Sequence, residues 1–365
     1  MTDRPRGFRP SVDWLLVLFP VAIVLDRVAA APALVFVVAA LVIVPLAGLI
    51  VRSTEQVAEH TGPAVGGLLN ATFGNLPELI IAVVALRAGL VEMVRASLIG
   101  AILANVLMAL GVAFLLGGRR YHVMDYNAAG ARTYASMLML AVVTLSVPAA
   151  FHRFLGTTVP ASSRSVDLAT SLMLLVTYVC YLVYGLWTHP EFFASGEADA
   201  HAGPGGPEWS VGRAVGTLLA ASVGAAWMSE VLVGAAEATG HALGMSPIFL
   251  GMVVLAVIGG AAESGSAIAM GRRNKPDLAV GIAMGSSIQI ALFVTPVLVL
   301  LSGAIAAAPL SLGFSRLEIG TLLLATLIVV TTSNDGHATW FKGVQLLAVY
   351  LIIAASVYWM PVVGP

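Results

Sequence analysis

The sequence predicts an all-α polytopic membrane protein with about 11 transmembrane helices, from its composition, its recurring apolar stretches and an internal repeat. Hydrophobic residues make up 59% of the 365 positions and charged residues only 10%, whereas a soluble domain has roughly 25% charged residues. Apolar stretches long enough to cross about 30 Å of hydrocarbon, at roughly 20 residues each, recur along the chain. The lipid bilayer is therefore the expected surroundings of most of this protein.

Eleven apolar windows are separated by short stretches that contain Arg, Pro, Gly and His. Their approximate bounds are 13–28, 32–51, 62–86, 94–117, 132–151, 166–187, 211–238, 245–271, 278–303, 312–332 and 341–361. The long polar break at 189–210 has the Gly, Pro and acidic composition of a flexible linker. We therefore predict an N-terminal helix in residues 1–30, a first five-helix repeat in 31–188, the linker, and a second five-helix repeat in 211–365.

The first span has two interpretations. It is short, contains Pro20, follows Arg4, Arg6 and Arg9, and precedes the small residues of 29–33, so it also resembles a secretory signal peptide. We favour a retained helix because the chain continues at once into further spans. Ten helices remain for the core in either case.

The charge distribution predicts the orientation. With loops assigned to alternate sides, twelve of the 18 Lys and Arg residues share a side with the N-terminus and the linker. The positive-inside rule then places both in the cytoplasm. Short loops and the lack of an organelle-targeting segment point to a bacterial cytoplasmic membrane, while the oligomeric state is not predicted. The net charge of −1 makes nucleic acid an improbable partner, and the single cysteine, Cys180, excludes an intrachain disulfide.

An internal repeat relates the two halves of the chain. Gly74–Glu78 and Gly259–Glu263 both read G-x-x-x-E and lie 185 residues apart. Two further glycine pairs keep the same offset, Gly66 with Gly251 and Gly100 with Gly285. Because each half contains an odd number of spans, the two repeats must cross the membrane in opposite directions. Transporters with inverted repeats bind their substrate near the midplane, on helices interrupted by Gly or Pro, and Pro77 and Gly259–Gly260 are the predicted interruptions here.

Glu78 and Glu263 are the predicted cation- and proton-binding residues. A carboxylate at the bilayer centre costs about 2.5 to 3.5 kcal/mol, so a pair of them requires a compensating role. Helical spacing puts Asn70, Gly74 and Asn75 on the same face as Glu78. Carboxylate and carboxamide oxygens of this kind suit Ca2+, which takes six to eight hard oxygen ligands.

The same glutamates can serve two ions in turn. Desolvation favours the protonated form of a buried carboxyl group, whereas an adjacent cation favours the carboxylate. A proton and Ca2+ can therefore compete for one site, which allows exchange without covalent chemistry. The number of protons moved in each cycle does not follow from this reasoning.

The neighbouring helices carry further polar residues. Four of them are candidates either to line the ion pathway or to complete the set of Ca2+ ligands: Asn105 in the first repeat and Ser286, Ser287 and Gln289 in the second. The alternative is that these small polar side chains only tie helices together. Glu230, on the helix before Glu263, is a candidate for a proton or cation step.

Other functional classes lack their signatures. The seven histidines form no HExxH pair or hydrolase pattern, and the glycines form no P-loop. We therefore expect a secondary transporter and not an enzyme or an ATP-driven pump. No cofactor is expected beyond the transported Ca2+ and H+.

These motifs resemble those of the Ca2+/cation:proton antiporter family, within the cation/Ca2+ exchanger superfamily. The matching segments are 66–75 with Glu78, 97–111, 229–263, 275–279 and 285–294, and the similarity covers nearly everything after about residue 30. The resemblance implies a ten-helix inverted-repeat core with an extra N-terminal helix. It also implies that Glu78 and Glu263 bind Ca2+, that Ca2+ moves against protons, and that four other residues lie near the pathway, namely Asn75, Asn105, Glu230 and Gln289.

The sequence departs from the family pattern in its second motif. Gly260 stands where the family usually has Asn, and Ser264 where it often has His. The second repeat therefore offers one fewer side-chain oxygen and one fewer titratable group. Exchange of Na+, K+ or Mn2+ against H+ is the alternative to Ca2+, and a passive channel or an intramembrane enzyme is the competing class.

Overall fold

The computed structural model describes residues 12–61, 63–154, 160–189 and 209–360. Most of the predicted linker, and the first eleven residues with their three arginines, lie outside the described residues. In the first half the helices are α1 Leu18–Arg27 after a 3-10 turn at Val12–Val17, α2 Pro32–Glu59, α3 Pro63–Phe73, α4 Leu76–Arg87, α5 Val91–Tyr121, α6 Ala128–Phe154, and α7 Pro160–Val183 with a π-helical end at Tyr184–Thr188. In the second half they are α8 Val211–Leu243, α9 Pro247–Gly259, α10 Ala261–Arg272, α11 Pro276–Ile305, α12 Arg316–Thr332 and α13 Trp340–Tyr358.

The protein is a polytopic helical membrane protein, as its sequence predicts. Eight spans in the described part are long and apolar enough to cross a bilayer, with α3 and α4 counted together as one. Helices α9 and α10 make a ninth if this pair, bent by 61°, is one span. The two remaining predicted spans are shorter: α1 has 10 residues after its 3-10 turn, and α12 has 17. The count of eleven spans therefore stays a prediction.

The two halves follow the same order of elements. In each, a long helix (α2 or α8) leads into a broken pair (α3 and α4, or α9 and α10) and then into a helix with a π-helical segment. Those segments are Ala104–Ala109 in α5 and Ile290–Val294 in α11. When 185 is added to the numbers of the first segment, its bounds agree with those of the second to within one residue. The repeat therefore extends to irregularities of the backbone.

Both broken pairs are interrupted where the sequence predicts. Asn75 ends the first break with φ −94° and ψ 22°, and Gly260 occupies the second with φ −78° and ψ 14°. In the first break Pro77 disfavours the helical conformation of the residue before it and supplies no N–H to the preceding turn. Gly260 lowers helix stability in the second break because glycine loses more conformational entropy than other residues.

The ends of the bundle are distinguished by their contacts. At the linker end, the Trp209 amide donates a 2.8 Å hydrogen bond to Gln56 Oε1, which joins the start of α8 to the end of α2. Strands β1 Val123–Asp125 and β2 His337–Thr339 pair antiparallel at this end, between the α5–α6 and α12–α13 connections. Lys342 lies 2.5 Å from Asp335 beside this ribbon. Partial burial raises the pKa of Asp335, but the hydrogen bond and charge of Lys342 outweigh it and hold that pKa below its ordinary value.

At the far end, opposite the linker end, the connection between α11 and α12 is held by charged side chains of α5 and α7. Asp167 of α7 is buried, accepts a 3.2 Å hydrogen bond from the Leu312 amide, and lies 2.8 Å from Nε2 of His152. Arg95 of α5 donates to the Gly313 carbonyl at 2.9 Å. Arg164 of α7 donates at 3.2 Å to the Leu310 carbonyl. These contacts fix an irregular connection against the ends of the spans.

Helices α5 and α9 approach each other closely near the far end. A Cβ atom placed on Gly100 would lie 1.9 Å from the Met252 carbonyl oxygen, and one on Gly251 would lie 2.2 Å from the Met93 carbonyl oxygen. Small residues of this kind allow helix backbones to touch within a membrane. No larger side chain fits at either position in this arrangement.

Candidate functional site

Glu78 and Glu263 occupy equivalent positions in the two repeats. Each lies in the first turn of the second helix of a broken pair, Glu78 in α4 and Glu263 in α10. The unpaired N–H groups at a helix N-terminus carry partial positive charge and favour a carboxylate there. Half-helices that begin inside the membrane are the elements with which inverted-repeat transporters bind ions.

The two carboxylates are buried and accept no hydrogen bond from the side chain or backbone of another residue in the described part of the chain. This holds for all four oxygens, Oε1 and Oε2 of both residues. Burial of such groups without partners is costly. The arrangement therefore suits groups that bind a proton or a cation in the working cycle.

The glutamate of the first repeat lies against the break of the second. A Cβ atom on Gly259 would be 3.2 Å from Cγ of Glu78, and one on Gly260 would be 3.7 Å from its Oε1. The two glycines thus leave room for the Glu78 side chain beside the N-terminus of α10. Elements of both repeats build a single site.

A carboxamide contact also joins the repeats. Asn75, in the first break, donates a hydrogen bond from Nδ2 to Oε1 of Gln289, which precedes the π-helical segment of α11. Asn75 is buried, and its Oδ1 has no hydrogen-bond partner among the described residues. The contact with Gln289 orients the Asn75 amide and leaves its oxygen available to a cation.

Asn105 occupies the corresponding region of α5. It lies in the π-helical segment, is buried, and accepts a 3.4 Å hydrogen bond at Oδ1 from the Ser264 hydroxyl. A Cβ on Gly260 would be 3.6 Å from this Oδ1. One π-helical segment contains Asn105 and the other begins directly after Gln289, and such segments occur often at functional sites.

The other candidate residues lie in more varied surroundings. Asn70 of α3 borders a small cavity together with Gln289. The Ser287 hydroxyl donates a 2.8 Å hydrogen bond to the Ala283 carbonyl of its own helix. A membrane serine satisfies its hydroxyl in this way without contacting a substrate. Ser286 is buried on the same helix, whereas Glu230 is exposed on α8. The structure thus brings four of the predicted residues into contacts between the repeats, namely Glu78, Asn75, Asn105 and Gln289. Glu230 takes no part in these contacts.

Tyr178 of α7 contacts the first helix break, and the sequence analysis did not predict this contact. Its hydroxyl donates a 3.0 Å hydrogen bond to the Ala71 carbonyl, in the last turn of α3 before the break. Carbonyls at a helix end lack intrahelical partners, so this buried tyrosine stabilises the end of α3. Its ring stacks on Phe293 of α11 at 5.4 Å between centroids. A tyrosine inside an apolar run is a usable signal because its buried hydroxyl requires a partner.

A cavity of about 40 Å³ leads toward the site from the linker end. It lies between α3, α7 and α11, and its lining includes Gly67, Asn70, Gly185, Gly285 and Gln289. The far end is closed by the contact of α5 with α9 described above. The site is therefore approached asymmetrically in this structure.

The ligands available are hard oxygens, with acids from both repeats. The described residues contain no cluster of three or more His, Cys, Asp or Glu side chains that could hold a metal, so a bound ion would depend on Glu78, Glu263 and neutral oxygens. Few charged ligands suit reversible binding of a cation in transit. The broken helices, the inverted repeat and the paired acids together define a secondary cation transporter of the exchanger type.

The chain belongs to the sodium/calcium exchanger protein family, whose sequence model matches residues 31–187 and 213–359. A Ca2+/H+ antiporter of Synechocystis sp. is 38% identical over 365 residues, which cover 95% of this chain and 96% of the relative. The Ca2+/H+ antiporter ChaA of Bacillus subtilis is 38% identical over 327 residues, covering 89% of this chain and 92% of the relative.

Solved structures share the fold. The native structure of YfkE superposes with a TM-score of 0.82 at 34% identity, covering 96% of this chain and 100% of that chain. The H+/Ca2+ exchanger CAX superposes with a TM-score of 0.70 at 16% identity, covering 95% of this chain and 91% of that one, which is a likeness of fold. The recognition of the family from its motifs is thus confirmed.

Proposed function

We propose that this protein is a secondary active antiporter that exchanges Ca2+ for H+ by alternating access. The observation that carries the proposal is the pair of buried carboxylates, Glu78 and Glu263, in the first turns of two inverted half-helices. Curated relatives and the selenium-substituted structure of YfkE bear the name Ca2+/H+ antiporter, which supports the same choice of ions.

In the proposed cycle, protons and Ca2+ compete for the two carboxylates. Neither glutamate carboxylate accepts a hydrogen bond from another residue in the described part of the chain, so each is stabilised either by protonation or by a cation. Asn75 contributes its free Oδ1, which the hydrogen bond to Gln289 keeps in place. Binding of Ca2+ displaces protons, and proton binding from the opposite side releases Ca2+.

The register of the repeat supports a specific route for alternating access. The far end is closed by Gly100 against Met252 and by Gly251 against Met93. At the offset of 185 residues, the equivalents of these pairs are Gly285 with Gly67 and Gly66 with Leu278. Gly67 and Gly285 both border the open cavity at the linker end. We infer that the alternate state closes that cavity by bringing Gly285 against Gly67 while α5 and α9 separate.

The two repeats proposed from the sequence are 31–188 and 211–365, connected by a cytoplasmic linker at 189–210. The N-terminus shares this side, because twelve of the 18 basic residues are assigned to it. The small cavity beside the site then lies on its cytoplasmic side, while the glutamate oxygens themselves are buried. A bacterial cytoplasmic membrane fits the relatives from Synechocystis and Bacillus, and the direction of transport proposed is Ca2+ efflux.

A second candidate is exchange of another cation against H+, such as Na+, K+ or Mn2+. The observation that favours it is the small second motif, where Gly260 supplies no side-chain oxygen and Ser264 donates to Asn105. Fewer oxygens lower the preference for Ca2+, which takes six to eight ligands. The two candidates share the same site and differ only in the ion.

The test is transport in proteoliposomes with an imposed pH gradient. Wild type is expected to accumulate Ca2+ against its concentration gradient and to move protons the other way, whereas Glu78→Gln and Glu263→Gln lose both movements. Glu92→Gln is the matched control, because Glu92 is an exposed acid at the far end. Accumulation of Na+, K+ or Mn2+ in place of Ca2+ selects the second candidate, and Ca2+ flux that ignores the pH gradient rules out antiport with H+.

A further inference from the structure

A groove at the linker end lies between the last turn of α5 and the first turns of α13. Its volume is about 460 Å³, and it is lined by Leu115, Gly118, Arg119 and His122 from the first half with Trp340 and Val344 from the second. Apolar side chains thus line one part of the groove, and a cation with an imidazole lines the other. This groove is separate from the exchange site, whose contacts involve α4, α9, α10 and the π-helical segments.

The walls of the groove are held by backbone contacts. A Cβ on Gly118 would be 2.2 Å from the backbone nitrogen of Trp340, and one on Gly343 would be 2.4 Å from the backbone nitrogen of Leu115. His122, directly after α5, has a φ of 65°, which is uncommon and costly for a residue with a Cβ. Close helix packing therefore sets the spacing of the groove and the sharp turn that ends it.

The groove lies at the level of the membrane surface. Its helices α5 and α13 are both candidate spans, and the groove is formed where α5 ends and α13 begins. Trp340 is 49% exposed and Val344 is 38% exposed. Tryptophan is enriched at membrane–water boundaries, where its ring has an apolar body and a polar N–H. One part of the groove is thus suited to hydrocarbon and the other to polar head groups.

Further basic residues lie near the groove, at the adjoining termini of α5 and α10. The α5 terminus packs on that of α10, because the Tyr121 hydroxyl donates to the Arg272 carbonyl at 3.5 Å and Gly117 meets Gly271. The exposed cations at these two termini are Arg119, Arg120, Arg272, Arg273 and Lys275. None of them forms an ion pair within the described residues, whereas the nearby Asp125 and Asp335 pair with His337 and Lys342.

We propose that this groove binds an anionic phospholipid, with its phosphate at Arg119 and His122 and an acyl chain along Leu115 and Val344. Charge complementarity selects the head group, since Arg119 in the lining is an exposed cation that forms no ion pair within the described residues. The apolar lining selects a lipid over a free phosphate ion, because a free ion would leave Leu115, Trp340 and Val344 uncovered. Basic pockets between transmembrane helices are known to bind anionic head groups.

The experiment uses the full-length protein in phosphatidylcholine nanodiscs that contain increasing fractions of phosphatidylglycerol with brominated acyl chains. Bromine quenches nearby tryptophan fluorescence, and the difference between wild type and Trp340→Phe isolates the signal of Trp340 from the other five tryptophans. Wild type is expected to show Trp340 quenching at low fractions of phosphatidylglycerol. Brominated phosphatidylcholine should quench Trp340 only at much higher fractions.

Variants connect the signal to the groove. Arg119→Gln is expected to raise the half-saturating lipid fraction about fivefold, which is the contribution of one basic residue near an anionic lipid surface. Arg273→Gln is the matched control, because it removes an exposed cation at the same end but outside the groove lining. If Arg119→Gln does not fold, His122→Gln replaces it, with a rise in the same direction.

Three results would overturn the proposal. The first is equal quenching of Trp340 by the two brominated lipids in wild type. The second is a variant of Arg119 or His122 that binds phosphatidylglycerol as wild type does. The third is loss of the quenching on addition of inorganic phosphate at constant ionic strength, which would assign the site to the free ion.

Discussion

The side-chain amide of Asn75, in the break of the first repeat, donates a hydrogen bond to the side-chain oxygen of Gln289 in the second repeat. This bond crosses the interface between the repeats at the exchange site. It determines which atom of Asn75 remains free, because the amide nitrogen is used and Oδ1 is left without a partner among the described residues.

Gln289→Ala should weaken Ca2+ binding without abolishing transport. Loss of one hydrogen bond costs about 1 kcal/mol, so the Ca2+ concentration for half-maximal transport should rise about fivefold. The measurement is Ca2+ uptake into proteoliposomes at several Ca2+ concentrations. Ser287→Ala is the control, since Ser287 bonds only to the Ala283 carbonyl of its own helix. An unchanged half-maximal concentration for Gln289→Ala would show that Asn75 does not require this orientation.

Gly260→Asn should be tolerated and should strengthen Ca2+ binding. The backbone at this position, φ −78° and ψ 14°, suits residues with a side chain. A Cβ would lie 3.2 Å from the Ala256 carbonyl oxygen, so the backbone must shift by a few tenths of an ångström, and 3.6 Å from Asn105 Oδ1 and 3.7 Å from Glu78 Oε1. The added carboxamide oxygen should lower the half-maximal Ca2+ concentration severalfold and should reduce transport of competing cations.

Gly259→Ala is the matched comparison for that change, because its Cβ would be 3.2 Å from Glu78 Cγ and would add no oxygen. It should weaken Ca2+ binding by displacing the Glu78 side chain. If both substitutions change affinity equally and in the same direction, volume and not the added oxygen determines the effect.

Cysteines at positions 67 and 285 should report the alternate state. In a Cys180→Ser background, Gly67→Cys with Gly285→Cys should form a disulfide during turnover, since the repeat register brings these residues together when the cavity closes. Oxidation should abolish Ca2+ transport, and reduction should restore it. Each single variant provides a control and should be insensitive to oxidant. Unimpaired transport after oxidation, or the absence of cross-linking during turnover, would contradict the proposed closure.

Asp167→Ala should destabilise the far end. Its buried carboxylate accepts a hydrogen bond from the Leu312 amide and lies 2.8 Å from His152 Nε2, and hydrogen bonds to charged groups contribute roughly 1.5 to 3 kcal/mol each. We expect a loss of about 3 kcal/mol in the free energy of unfolding, measured by chemical denaturation in detergent. Glu92→Ala, at an exposed acid of the same end, should change stability little.

The sequence was informative where a local rule or the repeat governs the structure. Pro77 and the paired glycines predicted both helix breaks, and the shared offset brought Glu78 and Glu263 into equivalent positions. The apolar windows located the spans but not their ends: α8 extends to Leu243, five residues beyond the predicted 238. Helices continue past the hydrocarbon because their backbone hydrogen bonds do not depend on lipid.

Contacts between distant parts of the chain were not predictable in this way. The Ser264–Asn105 and Tyr178–Ala71 hydrogen bonds join residues 159 and 107 positions apart. No periodicity indicates which polar group in an apolar helix meets which partner. The ribbon of β1 and β2 was missed for a similar reason, since strands of three residues are too short to show alternation. Such features depend on packing that only the folded chain defines.

The contact between Gly100 and the Met252 carbonyl is available only in the state in which α5 and α9 touch. A single methyl group at position 100 would therefore disfavour this state relative to the one in which the two helices separate. An alanine at 100 would place its Cβ 1.9 Å from that oxygen in the present state, whereas separation of α5 from α9 would relieve the clash. Overpacking costs about 1 to 3 kcal/mol, enough to change the ratio of the two populations roughly five- to 150-fold. Gly100→Ala would thus act as a conformational trap that enriches the oppositely facing transporter for structure determination.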